Sequence, residues 1–271
     1  MRTTKLRRLC SIAAMLAMAA TLAAPLSGMQ QANEPFVPQV GQAGKDVVWV
    51  PTPAQLVETM LDLAKVTPKD FVMDLGSGDG RNIIAAAKRG ARAVGVEYNP
   101  QMVELSRKSA AEAGVTDKAS FVEGDMYAAD ISKASVMALF LLPVNMKQLL
   151  PKFLDLTPGS RIVSNTFGME GWTPDETVVM PNCTDWCTAL LWIVPAKVEG
   201  TWRLPQGNLT LKQEYQVVSG TFGDTPISDG KLNGSEITFK AGATQYQGRV
   251  NGNTMEVAAN GARWTASRVT P

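Results

Sequence analysis

Histidine is absent from all 271 residues. That absence removes Ser-His-Asp and Cys-His nucleophilic catalysis, imidazole-ligated metals and imidazole pH switching. Cysteine is scarce, with three copies, so a metal site would have to be built from carboxylates or these few thiols, and no metal is expected. An excess of either charge is also lacking. Lys and Arg number 26 against 25 Asp and Glu, a net +1, and no basic block lies beyond the N-terminus. Duplex nucleic acid is bound by cationic side chains that neutralise phosphates, so no nucleic-acid partner is expected. What remains is ordinary for a folded protein: 45% apolar and 19% charged residues, over a length that holds one large domain or two modest ones.

The first residues carry the only long apolar run. Arg2, Lys5, Arg7 and Arg8 precede an uncharged, Ala- and Leu-rich stretch over Cys10–Leu26, followed by small residues. This run is short for a membrane span and has the layout of a secretory signal. Residues 1–28 are therefore expected to be a signal peptide, or an uncleaved anchor that would be the chain's one tie to a membrane. Its removal would leave 22 basic residues against 25 acidic ones, a net −3. The expected location is periplasmic or secreted. Residues 29–45, rich in Gln, Pro and Gly, read as a flexible lead-in. Cys183 and Cys187 would then be the remaining cysteines. In an oxidising compartment their three-residue spacing suits a small disulfide loop; two reduced, buried thiols are the alternative.

From Pro53 onward the hydrophobic period alternates. Helical spacing at Pro53–Ala64 gives way to a short apolar run, Phe71–Leu75, then to the glycine loop Gly76–Gly80. Helices are expected at Asn82–Arg89, Pro100–Ala113 and Met146–Leu154, and strands at Ala93–Glu97, Ala119–Val122, Ser135–Leu142 and Arg161–Asn165. This alternation means βαβ units and a parallel sheet. Two more strands, Glu176–Met180 and Ala189–Pro195, flank the PNCTDWC segment as a hairpin. After about Ala196 the helical period stops. An eighteen-residue echo, Gly230–Phe239 against Gly248–Val257, places Asn-Gly between alternating runs, a hairpin signal. With Gly200–Leu204, Leu209–Val218 and Arg263–Val269 this predicts an antiparallel meander of five to seven strands. It reads as too short for a full ligand-enclosing barrel, with Trp202 and Trp264 closing its core. The expected boundaries are 46–196 for the α/β domain and 197–271 for the β domain.

The chemistry concentrates on one strand–loop–helix. The loop reads G-x-G-x-G, with Asp74 before it and Asp79 inside it. A dinucleotide fold would instead show G-x-G-x-x-G around a pyrophosphate. Acids beside the loop suit a ligand bearing an amine or sulfonium. Glu97 ends the next strand, where a carboxylate can accept both hydroxyls of a ribose. Asp125 follows the third strand and can accept an adenine amino proton. Each acid alone is as readily a solvated loop residue; three in order on successive strand ends are far more specific.

DLGSGDGR, VGVEYNP and FVEGDMY together resemble the class I S-adenosylmethionine-dependent methyltransferases, over about Val48–Pro195. The upstream V-P-T-P (Val50–Pro53) is similar to bacterial relatives of the seven-strand protein-lysine methyltransferases. The resemblance implies a Rossmann-like, mostly parallel seven-strand sheet and S-adenosylmethionine as cofactor. It assigns Asp74, Gly76, Ser77, Gly78, Asp79 and Gly80 to the methionine part, Glu97 with Tyr98 to the ribose, and Asp125 with Met126 to the adenine. Thr52 falls near the amino-acid end. Trp49, Phe140, Pro143 and Phe167 are the candidates for the acceptor pocket. Phe140–Pro143 stands where the family's fourth-strand motif falls, and it is not of the N-P-P-Y type. The implied reaction is methyl transfer to a protein side chain, lysine among them, or to a small molecule. An exported binding protein that keeps the fold without the reaction is the alternative, because the cofactor is made in the cytoplasm while the N-terminus reads as an export signal.

Overall fold

The computed structural model describes residues 36–269. The signal or anchor reading of residues 1–28, and Cys10 with it, lies outside them. Seven strands form the first sheet: β1 (Phe71–Leu75), β2 (Arg92–Glu97), β3 (Ala119–Glu123), β4 (Val136–Leu139), β5 (Arg161–Asn165), β6 (Glu176–Val179) and β7 (Thr188–Ile193). Their order is β3-β2-β1-β4-β5-β7-β6, parallel except for β7, which runs antiparallel to β5 and β6. The mostly parallel seven-strand sheet is as the motifs imply.

Helices cover both faces, as parallel strands require. On one side α1 (Ala54–Leu63), α2 (Arg81–Lys88) and α3 (Pro100–Glu112) bury Leu56, Met60, Ile83 and Val103 against Val72, Ala93 and Val163. On the other, α4 (Pro143–Leu154) buries Met146, Leu149 and Phe153 against Leu75, Met137 and Ile162. The residues of β4 run apolar without alternation, all four buried, because neither face meets water. No helix among the described residues is long and apolar enough to cross a membrane.

β4 ends three residues sooner than its apolar run, and α4 begins three residues earlier than its periodicity suggests. Pro143 is the reason. It stands at the first helical position, where its missing N–H and fixed φ suit a helix start.

The C-terminal region is antiparallel as expected, but it has eight strands rather than five to seven, and they close. Eight strands close into a barrel: β8 (Gly200–Leu204), β9 (Gly207–Glu214), β10 (Val217–Phe222), β11 (Thr225–Asn233), β12 (Glu236–Ala241), β13 (Thr244–Asn251), β14 (Thr254–Ala259) and β15 (Ala262–Arg268). The run Leu209–Val218 is two strands, broken by a turn at Tyr215, whose φ is +52°. In the echoed hairpins the turn residues are Gly234-Ser235 and Gly252-Asn253, with each asparagine still paired in its strand. Eight strands leave an interior that side chains can fill, and here they do. Trp202, Leu209, Leu211, Ile237, Phe239 and Met255 pack it. Trp202 is fully buried, whereas Trp264 is half-buried at the margin and does not close the core.

The barrel is seated on the α/β domain by few but specific contacts. The Tyr215 ring stacks on Trp172 at 5.4 Å. The Gln216 side-chain amide donates to the Thr173 carbonyl at 2.8 Å. The Ala196 N–H donates to the Gly234 carbonyl at 2.8 Å.

Candidate active site

The sheet reverses its winding between β1 and β4, and open α/β sheets bind ligands in the crevice at such a point. One cavity opens there. Asp74, Gly76, Ser77, Gly78 and Asp79 from the β1 loop line it, with Glu97 and Tyr98 after β2, Asp125 and Met126 after β3, and Phe140 after β4. Trp49 and Thr52 line it from the N-terminal side. Residues scattered over nearly a hundred positions therefore meet because each ends a neighbouring strand.

The loop is held from both sides. The N–H groups of Gly76 and Ser77 donate to the Val96 carbonyl, and Ser106 Oγ of α3 donates to the Gly78 carbonyl at 2.9 Å. Gly78 has φ +55°, and a Cβ there would lie 2.8 Å from the Trp49 indole. Only glycine accepts both the left-handed backbone and that close approach. Gly80 does not line the cavity. Its φ of +79° and a Phe121 ring 2.6 Å from its Cβ position make it the joint between loop and α2.

Glu97 is oriented before any ligand arrives. Its Oε2 accepts the Gly78 N–H and its Oε1 the Asn99 N–H, both at 2.9 Å. Each carboxylate oxygen keeps a second acceptor site. Asp125 is engaged differently. Lys45 Nζ donates to its Oδ2 at 2.6 Å and lies 4.9 Å from the Tyr98 ring centre. The ion pair and the Tyr127 N–H together hold the Asp125 carboxyl below its usual range.

Lys45 belongs to the stretch read as a flexible lead-in, and its last residues, Gln42–Lys45, line the cavity. Residues 42–52 form one wall of the cavity, fastened by a reciprocal pair, Gly41 N–H to the Trp49 carbonyl and Trp49 N–H to the Gln42 carbonyl. Composition rich in Gln, Pro and Gly concealed this, because the ordering comes from contacts with distant loops rather than from local periodicity.

Three further polar residues went unnoticed in the sequence. Arg81 forks onto Asp79, with Nε 2.9 Å from Oδ1, and donates from Nη1 to the Thr52 carbonyl at 2.6 Å. Asn82 is buried and donates from Nδ2 to Asp74 Oδ2 at 3.0 Å. Asn165, at the end of β5, reaches Thr52 Oγ1 at 3.4 Å. The signal for the first two was their place directly after the loop, at the start of α2.

Three residues of the cavity lining carry unsatisfied polar atoms. Asp74 Oδ1, Ser77 Oγ and Asn82 Oδ1 are buried and have no hydrogen-bond partner within the protein. Burial pushes the Asp74 carboxyl well above the usual carboxylate range. The Asn82 amide pulls the other way, and the nearby Glu97 and Asp79 charges add to the rise. Orphaned buried acceptors are rare in folded proteins. Asp74 and Asn82 suit a ligand ammonium, which would supply donors and positive charge together, whereas Ser77 Oγ turns beneath the loop, 2.5 Å from where a Gly95 Cβ would stand.

Two acceptor-pocket candidates fall outside the cavity. Pro143 is at the start of α4, away from the cavity lining. Phe167 does not line the cavity but stacks on Phe140 at 6.1 Å. The Cys183–Cys187 disulfide is present, in the loop between β6 and β7. The barrel contributes no residue to the cavity wall.

Comparison with known proteins gives a consistent picture. A family model described as the ANTKMT methyltransferase domain matches residues 74–176. A protein-lysine N-methyltransferase of Saccharolobus islandicus is 41% identical over 151 residues, which are 55% of this chain and 94% of that protein. The adenine nucleotide translocase lysine N-methyltransferase of Mus musculus is 35% identical over 134 residues, 49% of this chain. That match spans 58% of the mouse protein, little more than half its length. Among solved structures, an RNA methyltransferase from Salinibacter ruber in complex with S-adenosyl-L-homocysteine shares 45% identity at a TM-score of 0.52, over 55% of this chain and 96% of that one. The chain belongs to the seven-strand S-adenosylmethionine-dependent methyltransferases, in the family of the protein-lysine N-methyltransferases.

Proposed function

We propose that this enzyme methylates the side-chain amine of a lysine in a protein acceptor. The observation that carries the reading is the juxtaposition, in one cavity, of Asp74 and Asn82, each with an unsatisfied oxygen, and the apolar wall of Trp49 and Phe140. S-adenosylmethionine, when bound, supplies an electrophilic methyl group on a sulfonium. The residues present fit it. Asp74 and Asn82 would take its ammonium, Arg81 its carboxylate, Glu97 the ribose hydroxyls and Asp125, in exchange for its Lys45 ion pair, the adenine amine, with Met126 against the base.

In-line displacement needs little acid–base chemistry from a protein; positioning and exclusion of water dominate. The acceptor amine must lose its proton, and its reference pKa is about 10.4. A wall of indole and phenyl rings disfavours the ammonium form and so exposes the lone pair. That solution works without histidine. An RNA acceptor is favoured less by this cavity. Its lining holds five carboxylates, Asp46, Asp74, Asp79, Glu97 and Asp125, against Lys45 and Arg81. Such an excess repels a phosphate backbone rather than neutralising it.

The test is transfer from methyl-labelled S-adenosylmethionine to total protein and to total RNA of the source cells, offered separately. Label in protein that hydrolyses to methyl-lysine supports the reading. Label confined to RNA, or cofactor bound with no transfer to either, overturns it; the second outcome is that of a binding protein that keeps the fold alone.

The same reading includes export. The charged and apolar pattern of residues 1–28 and a disulfide in the mature region both suit an oxidising compartment. The cytoplasmic origin of the cofactor stands against it. Cell fractionation with thiol alkylation and intact mass decides between them. A shortened chain in the envelope fraction with no alkylated cysteine is expected; a full-length cytoplasmic chain with free thiols would refute export.

A further inference from the structure

Beside the cavity, the connection between β6 and β7 turns a large aromatic side chain toward the site. Cys183 and Cys187 close a five-residue ring with Cα atoms 5.7 Å apart. Within and next to it, Trp186 and Asn182 both have φ +56°. Left-handed backbone is uncommon for a bulky residue and persists where the surroundings impose it. So turned, the Trp186 ring centre lies 5.4 Å from Phe140 and 5.5 Å from Phe167. The three rings come from three separate connections: after β4, after β5 and before β7. They share one edge of the sheet, because β4 and β5 end there and the antiparallel β7 begins there.

These separations are ring-to-ring contact distances, so no cation fits between the rings. A ligand meets their outer side. Phe140 lines the cofactor cavity, which makes the aromatic face continuous with it. Trp186 remains 36% exposed, and the neighbouring Asp185 is exposed as well. An exposed aromatic face with an exposed acidic residue in the same short loop is complementary to a side chain with an aliphatic stem and a cationic tip.

We propose that Trp186, held against Phe140 and Phe167 by the Cys183–Cys187 ring, is the residue that recognises the incoming lysine before its amine enters the cavity. The inference rests on the lysine reading above. The indole attracts the protonated amine through its ring face and packs on the methylene stem. The contact acts on encounter, before the amine, disfavoured as an ammonium by the apolar wall, releases its proton to solvent. It therefore governs acceptor KM more than kcat, and it leaves cofactor affinity alone.

The experiment uses the full chain, labelled S-adenosylmethionine and poly-L-lysine as acceptor. Trp186→Ala is expected to raise the KM for poly-L-lysine about five- to thirtyfold. Its kcat should stay within about twofold, and its S-adenosylhomocysteine affinity should equal wild type. Trp186→Phe should recover most of the loss. The double variant Cys183→Ser, Cys187→Ser should fall between wild type and Trp186→Ala. Unchanged kcat/KM in Trp186→Ala, or a loss matched by weakened cofactor binding, overturns the proposal while the lysine reading stands.

A second measurement separates the two ideas. The indole N–H resonance that disappears in Trp186→Phe is followed while N-acetyl-lysine methylamide is added to the S-adenosylhomocysteine complex, with N-acetyl-norleucine methylamide as the uncharged control. A shift specific to the lysine compound supports recognition at Trp186. No shift overturns it. A specific shift without methyl transfer to poly-L-lysine retains the recognition surface and counts against lysine as the methylated group.

Discussion

Asp74→Asn is expected to abolish S-adenosylmethionine binding while making the protein more stable at neutral pH. The two effects have one cause. Asp74 lies at the C-terminal end of β1, buried, with one oxygen held by Asn82 and the other unpartnered. Its carboxyl is pushed well above the usual range, chiefly by burial. A carboxyl whose pKa is raised by folding binds more protons folded than unfolded. Stability then falls as pH rises from the ordinary carboxylate value through the raised one. Asparagine keeps the shape and the Asn82 contact but does not titrate. The variant should melt roughly 2–6 °C higher at pH 8, corresponding to about 1–2 kcal/mol at this size. The gain should vanish below about pH 4, where the wild-type carboxyl is protonated in both states. Titration calorimetry should show at least a hundredfold weaker cofactor binding, since a neutral amide replaces the buried carboxylate opposite the ligand ammonium. Near-normal affinity in the variant, or a melting difference that does not change with pH, would sink this account.

Glu97→Ala is expected to weaken the cofactor about 10²- to 10³-fold and to lower stability by about 1–3 kcal/mol. Glu97 serves two structures with one carboxylate. It accepts the N–H groups of Gly78 and Asn99, and so ties the β1 loop to the entrance of α3. Its free lone pairs face the cavity. Alanine leaves the buried Gly78 N–H without a partner and loosens the loop as well as removing the ribose contact. Glu97→Gln distinguishes these roles. Glutamine retains one accepting oxygen, so it can keep one of the two backbone bonds but not both. An intermediate affinity with near-normal melting would assign the larger share to the ribose. If Glu97→Ala binds the cofactor as wild type does, the carboxylate is a structural tie only.

The βαβ alternation and the strand-end acids were legible because they depend on local matters. A parallel strand buried on both faces must be apolar throughout, as Val136–Leu139 is. A loop that passes under an indole must have glycine where Gly78 stands. Such requirements leave their mark within a few residues. The disulfide was favoured from the short Cys183–Cys187 spacing taken together with the expected oxidising compartment.

Other features left no such mark. Whether the antiparallel strands close into a barrel depends on the pairing of β15 with β8, where Arg268 meets Trp202 from the opposite end of the region. Local alternation is the same in either case. Lys45 reads as part of a polar, glycine-containing stretch, yet it sits on Asp125, eighty residues along the chain. Trp186 reads as one residue of a cysteine loop, and its meeting with Phe140 and Phe167 depends on the order in which β4, β5 and β7 stand in the sheet. The sequence by itself determined the strand–helix alternation, the glycine loop and the three strand-end acids, because each is set by local backbone and burial demands. Only the tertiary structure decided the closed barrel, the cavity wall built by residues 42–52 and the meeting of Trp186 with Phe140 and Phe167, because these are set by which distant segments lie side by side.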